Sequence, residues 1–176
     1  DQSEAMVMSD HVAVMNSGSF EQLDTPQNLY HSPHSSFVAQ FVGNNNKLAV
    51  QVFKKEGTDF YARYKDGRDY LLEGTFDLES GNEYDLFIRP EAIMINPAES
   101  ETSLNEMSCT VKAVLFDGGN SRLLIIPNNT SEELIVALPQ TKQYDYLKSG
   151  DEIKIGWNPA AAVCFEKADI KIYDDV

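Results

Sequence analysis

The first forty-three residues contain no lysine and no arginine, although they hold the acids Asp1, Glu4, Asp10, Glu21 and Asp24. The whole chain of 176 residues carries 28 acidic against 14 basic side chains, a formal charge of −14. Such a surface repels phosphate backbones, whose binding depends on Lys and Arg, and it disfavours acidic lipid headgroups. Solubility accounts for the acidity without a recruited cation. No apolar run reaches the roughly eighteen residues of a membrane-crossing helix, so any membrane connection is expected to pass through a partner. Only two cysteines occur, Cys109 and Cys164, with no C-x-x-C and no metal-ligand spacing. Both sit in apolar strand-like runs and read as small buried hydrophobes.

Phosphate-binding and catalytic motifs are missing too. No G-x-x-x-x-G-K-[ST] loop is present, and Gly118-Gly119 has no lysine behind it. No strand ends in an Asp followed by a catalytic Glu, no LSGGQ-like signature occurs, and no G-x-S-x-G elbow is found. The three histidines, His11, His31 and His34, are too few for a metal centre. No catalytic residue can be named, and no metal or cofactor site is expected in this chain.

What is present is a chain with 42% apolar and 10% aromatic residues, enough for a core. Asp1 to Met8 suits a short helix with acids in its first turn. His11–Met15 and Ser19–Leu23, joined through Asn16-Ser17-Gly18, read as a hairpin. Thr25-Pro26 starts a helix, with Thr as N-cap and Pro at the first turn, and helical spacing resumes after Ser32-Pro33. Gly43-Asn44-Asn45-Asn46 closes this region and divides the chain into 1–43 and 44–176.

Beyond it the period becomes strand-like. Strands are expected at Lys47–Phe53, Thr58–Tyr64, Asp69–Leu72, Tyr84–Ile88 and Ile93–Ile95. More follow at Met107–Phe116, Arg122–Ile126, Glu133–Leu138, Glu152–Trp157, Val163–Phe165 and Ile170–Tyr173, with one helix at Gln140–Leu147. Short strands at regular spacing with Gly and Asn turns predict a small antiparallel barrel. Tyr61, Tyr64 and Phe60 beside Arg63, Lys65 and Arg68 form the one place where a nucleic-acid site could arise. The charge balance speaks against that use, and no nucleic-acid partner is expected.

Two sets of landmarks resemble one family. D-Q-x-E-A at Asp1–Ala5, S-D-x-x-A-V-M-x-x-G at Ser9–Gly18 and T-P-x-x-x-Y-x-x-P-x-x-x-F-V-A-x-F-V-G at Thr25–Gly43 resemble the end of the nucleotide-binding domain of ABC importers. In the second region Phe87-Ile88-Arg89-Pro90-Glu91, Val111–Ile126 and Leu147-Lys148-Ser149-Gly150-Asp151 leading to Trp157-Asn158-Pro159 resemble the TOBE domain that follows it. His11 stands where the family more often has Arg, and Asn44–Leu48 lacks the Gly usual there.

The resemblance implies a mainly β fold: an OB-type (TOBE) barrel over 44–176, preceded by a short α/β remnant of an ABC ATPase domain over 1–43. It implies that the switch histidine would precede Asp1, and that ATP and Mg²⁺ belong to the parent subunit. The partners it implies are a second copy of that subunit, membrane permease subunits and a small regulatory ligand. It places the protein in the cytoplasm, peripheral on the inner face of the membrane. The role implied is support of ATPase dimer assembly and regulation of transport, with polyamines as cargo. Arg89, Pro90, Glu91, Gly118, Gly150, Trp157 and Pro159 are the motif residues it marks, mainly structural. The alternative is a free-standing OB-type barrel that binds a small ligand. The missing phosphate loop makes one expectation testable: ATP titrated into this chain gives no saturable heat, and a saturable isotherm would contradict it.

Overall fold

The computed structural model describes residues 2–73, 77–98, 101, 103–117 and 120–167. The chain divides into two compact units, Asp1–Asn44 with Phe165–Val176, and Asn45–Cys164.

In the first unit α1 (Gln2–Met8) precedes the hairpin β1 (Val12–Asn16) and β2 (Ser19–Asp24), then α2 (Pro26–His31) and α3 (Ser36–Phe41). Thr25 Oγ1 accepts from the Asn28 N–H at 3.3 Å ahead of Pro26, and Ser35 Oγ caps α3 through Val38 N–H at 3.3 Å. Between the helices the buried Gln22 holds the turn. Its amide donates to the Ser32 carbonyl at 3.2 Å, and its Oε1 accepts from the His34 N–H at 2.9 Å. Val14 and Leu29 are buried with Val38 and Val42 in a small core of their own, Val12 and Phe37 pack against it half-buried, and Phe41 is exposed. The hairpin and two capped helices suffice to cover Val14 and Leu29.

The second unit begins with β3 (Asn46–Glu56), β4 (Asp59–Tyr64), β5 (Asp69–Leu72) and β6 (Glu83–Ile88), a 3₁₀ turn at Pro90–Ala92, and β7 (Met94–Ile95). The order then repeats. β8 (Asn105–Asp117), β9 (Asn120–Pro127), β10 (Leu134–Ala137) and β11 (Glu152–Trp157) lead to a 3₁₀ turn at Pro159–Ala161 and β12 (Ala162–Glu166). One sheet runs β12-β6-β3-β4-β5 and the other β10-β9-β8-β11-β7. Each half therefore builds a hairpin-rich sheet and sends its last strand into the other half's sheet.

The match between the halves extends to register. Asn46 opposes Ile88 as Asn105 opposes Trp157, and both long strands carry a bulge, at Val52/Lys54 and at Val111/Ala113. At each bulge a glycine with positive φ, Gly81 (98°) or Gly150 (94°), donates to the strand, to Val52 O at 2.7 Å and to Val111 O at 2.8 Å. The two sheets share a single core that includes Leu48, Val50, Tyr64, Tyr70, Leu86, Met107, Cys109, Ile125, Val136 and Trp157. The alternating burial of β3 over Asn46–Phe53 is the direct consequence of its period-two pattern.

Strand expectations from Lys47 to Phe165 hold to within a few residues, while Ile170–Tyr173 lies outside the described residues. The helix expected at Gln140–Leu147 is a correction: only Lys142–Tyr144 winds, as a 3₁₀ turn. Leu147 is buried there and its N–H donates to the Tyr144 carbonyl at 3.1 Å, so the i to i+3 spacing is satisfied without a longer helix.

Two asparagines tie the sheets together. Asn46 opens β3, and its side chain donates to the Ile135 carbonyl and accepts from the Ile135 N–H, each at 2.7 Å, on edge strand β10 of the opposite sheet. Asn105 opens β8 and does the same to Leu71 on edge strand β5, at 2.8 and 2.9 Å. Both amides are buried, 5% and 7% exposed. Each closes an edge that would otherwise present bare backbone groups. Orphaning a buried donor or acceptor costs about 1–3 kcal/mol. Asn46→Ala and Asn105→Ala are each expected to lower unfolding free energy by about 2–3 kcal/mol, read from urea titration of the chain. A change under about 0.5 kcal/mol would place the clamps among ordinary surface contacts.

Candidate functional site

The landmark residues gather at the ends of β6 and β11, where each strand leaves its sheet at a proline. Pro90 and Pro159 are buried at the first position of their 3₁₀ turns. Lacking an N–H, each ends ladder pairing without loss, and the following residues turn back toward the other sheet. Ala92 donates to the Arg89 carbonyl at 3.0 Å and Ala161 to the Asn158 carbonyl at 2.9 Å. Arg89 is half-buried and Glu91 exposed, whereas the corresponding Asn158 caps its own turn by accepting from the Ala160 N–H at 2.9 Å. Gly150 supports the β8 bulge; Gly118 lies outside the described residues.

Trp157 is fully buried, and its ring centroid lies 5.1 Å from that of Tyr70 on β5 of the facing sheet. The Tyr70 hydroxyl donates to Asp66, and burial followed by that carboxylate raises its pKa above the usual tyrosine value. Tyr64 repeats the pattern, donating to Glu132 Oε2 at 2.5 Å, so two core tyrosines end on carboxylates at the surface. Among the described residues the Trp157 indole N–H has no hydrogen-bond partner. Sequence reasoning singled out Trp157 but not its tyrosine neighbour, because the two lie far apart in the chain and on different sheets.

Of the cations that the sequence places among aromatics, Arg63 and Lys65 are engaged by acids. Arg63 grips Asp69 through two bonds of 2.7 and 3.0 Å, Lys65 pairs with Glu132, and Lys54 pairs with Glu56 at 2.6 Å. Arg68 reaches across to β8, donating to the Ser108 hydroxyl at 3.2 Å. Lys47 lies 2.8 Å from the buried Asp85, and at the equivalent place in the other half Lys154 meets Glu106 at 3.1 Å with the charges exchanged. The half-exposed pairs contribute about 0–1 kcal/mol each, whereas Lys47 is the ion-pair partner that offsets the burial of the Asp85 carboxylate. Their arrangement leaves the aromatic stretch of β4 without a run of unengaged cations.

Burial pushes both thiols up to about 12, with Asp66 assisting at Cys109 and Asp85 at Cys164, so neither is a thiolate near neutral pH. Among the described residues no group of His, Cys, Asp and Glu is arranged to hold a metal. In the first unit an apolar groove of about 880 Å³ is lined by Met6, Val12, Tyr30, Phe37 and Phe41 among others, with no titratable side chain suited to chemistry.

Residues 86–165 match the family model of the TOBE domain. That stretch is similar to a TOBE domain. It is 31% identical over 161 residues to the spermidine/putrescine import ATP-binding protein PotA of Mesoplasma florum, covering 92% of this chain and 42% of that protein. The PotA of Thermobifida fusca is 28% identical over 159 residues, covering 90% of this chain and 41% of its own length. The sulfate/thiosulfate import ATP-binding protein CysA 2 of Chromobacterium violaceum is 36% identical over a shorter 132 residues, 72% of this chain and 32% of that protein. The chain thus spans about two fifths of the length of the PotA relatives it matches. Among solved structures the molybdate-bound cytoplasmic protein ModG superposes with a TM-score of 0.59 at 12% identity, over 69% of this chain and 96% of that one. That likeness establishes the fold: mainly β, of OB type, in antiparallel sheets.

The Tyr64–Glu132–Lys65 cluster sets an acid dependence. Desolvation raises the Glu132 pKa, but the bonds from Lys65 and Tyr64 outweigh it and hold the carboxyl below its usual value. A depressed folded-state pKa contributes stability that is present above the unfolded value, about 4.5, and lost as pH falls through the folded one. Wild type is therefore expected to lose stability relative to Glu132→Gln between neutral pH and about pH 3, followed by thermal melts at each pH. Parallel profiles would show that the cluster contributes nothing.

Proposed function

We propose that this chain is the accessory and regulatory region of the ATP-binding subunit of an ABC importer, with polyamines as cargo. One observation carries the reading. The similarity to PotA extends over 161 residues, so it cannot arise from the 86–165 TOBE match alone and must include most of the first unit. Residues 1–43 then form the end of a nucleotide-binding domain and 44–176 the accessory domain. ATP and Mg²⁺ belong to the parent subunit, and no residue of this chain is assigned to them.

The parent subunit works as a pair on the inner face of the cell membrane, docked to permease subunits. A rigid two-sheet body joined to the end of the ATPase domain can favour one arrangement of that pair over another by differential contact. A small ligand that bound one arrangement better would regulate transport by the same route. Arg89, Pro90, Glu91, Gly118, Gly150, Trp157 and Pro159 serve this role as shape-determining residues.

Cargo choice is tested by transport. Vesicles bearing the parent subunit with its permease partners are expected to accumulate spermidine on ATP addition and to ignore sulfate. Removing 44–176 should lower coupled uptake between about 5- and 150-fold, the range of ordinary coupling free energies. Sulfate uptake without spermidine uptake would move the protein to the CysA type. Uptake unchanged by the deletion would remove the regulatory role.

A further inference from the structure

We infer that the arm formed by β8 and β9 is a docking edge for another protein. It takes as an added strand an extended segment that is β-branched at its centre and basic at its ends. The two halves of the barrel supply an internal comparison. Beyond their matching bulges, β3 and β8 each run on as one strand of a projecting hairpin, paired on one side only among the described residues. On β3 that stretch carries Lys54, Lys55 and Glu56, with Lys55 lying over the Phe60 ring at 4.9 Å. Charged residues, lysines above all, are how proteins keep an open strand edge from pairing. At the equivalent positions β8 carries Ala113, Val114 and Leu115, followed by Phe116. Val114 and Leu115 are 45% and 44% exposed and Phe116 is 81% exposed. Across the arm the contrast continues, with Leu124 and Ile126 of β9 at the positions of Tyr61 and Arg63 of β4. The fold does not require apolar residues along this arm, because its other half carries charge there.

The backbone says what kind of partner fits. β11 occupies this edge of β8 only as far as Val111, whose carbonyl accepts from the Gly150 N–H at 2.8 Å. Further along, Ser121, which opposes Phe116, accepts through its carbonyl from the Leu138 N–H at 2.9 Å on the far side of β9. Ser121 thus turns its backbone groups away from β8, and Phe116 turns its own N–H and C=O outward; Val114, two residues away, does likewise. Among the described residues this row of donors and acceptors is unpaired, and it calls for a strand. A segment laid in line with β11 meets Val114 and Phe116 on one face and Ala113 and Leu115 on the other. Its centre is therefore apolar on both faces, which β-branched residues satisfy in an extended chain.

Charge sets the ends of that segment. Lys112 is held by Glu133, and Arg122 lies opposite Leu115 on the other strand, so the middle of the edge offers nothing to a cation. The ends are acidic. β8 finishes at Asp117, and Asp151 and Glu152 stand where β11 begins, only one of them offset by Lys148. The chain as a whole carries −14, which speeds the approach of a cationic partner. So short a stretch falls below the standard interface size, so the binding is weak and salt-sensitive. The edge belongs to the barrel itself, and the site stands apart from the transport reading.

Fluorescence anisotropy of the labelled peptide Lys-Thr-Val-Ile-Val-Thr-Lys, titrated with the 176-residue chain, tests it. Wild type is expected to bind saturably. The Val114→Lys/Phe116→Lys variant should bind about tenfold or more weakly. A similar loss is expected for wild type with the peptide N-methylated at its three central residues, which keeps the side chains and removes the donors. Lysine is tolerated in such positions by the β3 arm, so the variant is expected to keep its melting temperature. The same peptide with glutamate at both ends should bind more weakly than the lysine form. A wild type that leaves the lysine peptide free overturns the inference, whether the edge stays bare or sedimentation shows a second copy filling it. So does binding that survives the lysines or the N-methyl groups, or a preference for the glutamate ends.

Discussion

The barrel depends on two buried asparagine side chains that act as pieces of backbone. A primary amide carries one carbonyl and one N–H pair in nearly the geometry of a peptide group. Asn46 and Asn105 therefore complete, at Ile135 and Leu71, the strand neighbours that β10 and β5 lack. Each belongs to the first residue of the long strand of one sheet and closes the edge of the other. With the exchanged strands β7 and β12, they make two similar halves into one body that cannot separate without breaking both sheets. The shared core of apolar side chains contributes most of the stability, but it is indifferent to register. The amides, the bulges at Val111 and Val52 and the prolines at 90 and 159 are what set it.

A rigid body of this kind suits a part that transmits a preference. Both cysteines are buried and protonated, the Tyr64 and Tyr70 hydroxyls end on carboxylates, and Arg63 of β4 is held by Asp69. Function in such a domain lies in its surfaces, and the arms differ where the cores agree: one charged, one apolar, on the same framework. Divergence of that sort between halves under equal folding constraint marks a surface under a different demand.

Much of this was legible from residues alone. Period-two alternation placed nearly every strand, Thr25-Pro26 placed a helix start, and ordered landmarks from Asp1 to Pro159 pointed to the family. What escaped were relations between distant segments. The duplication has a signal that could have been read: Leu78-Glu79-Ser80-Gly81-Asn82-Glu83 is echoed by Leu147-Lys148-Ser149-Gly150-Asp151-Glu152, and at the same further step Pro90 is echoed by Pro159. It is faint because the hairpins between have diverged, keeping positions of burial and bulge but few identities. The asparagine clamps carry no local signal, since a buried Asn reads as a turn residue until its partner strand is known. The helix expected at Gln140–Leu147 is in fact a single 3₁₀ turn, which carries the chain to the buried Leu147 through its bond to the Tyr144 carbonyl.

The central claim, that two interlocked halves behave as one body held by the clamps, is met most directly by native-state hydrogen exchange at the Leu71 and Ile135 amides. Both sit on edge strands, where amides ordinarily exchange through local fraying. The account predicts that both exchange only through global unfolding, at the same free energy as central amides such as Val50 and Val111. Rapid exchange of either one, independent of global stability, would contradict it.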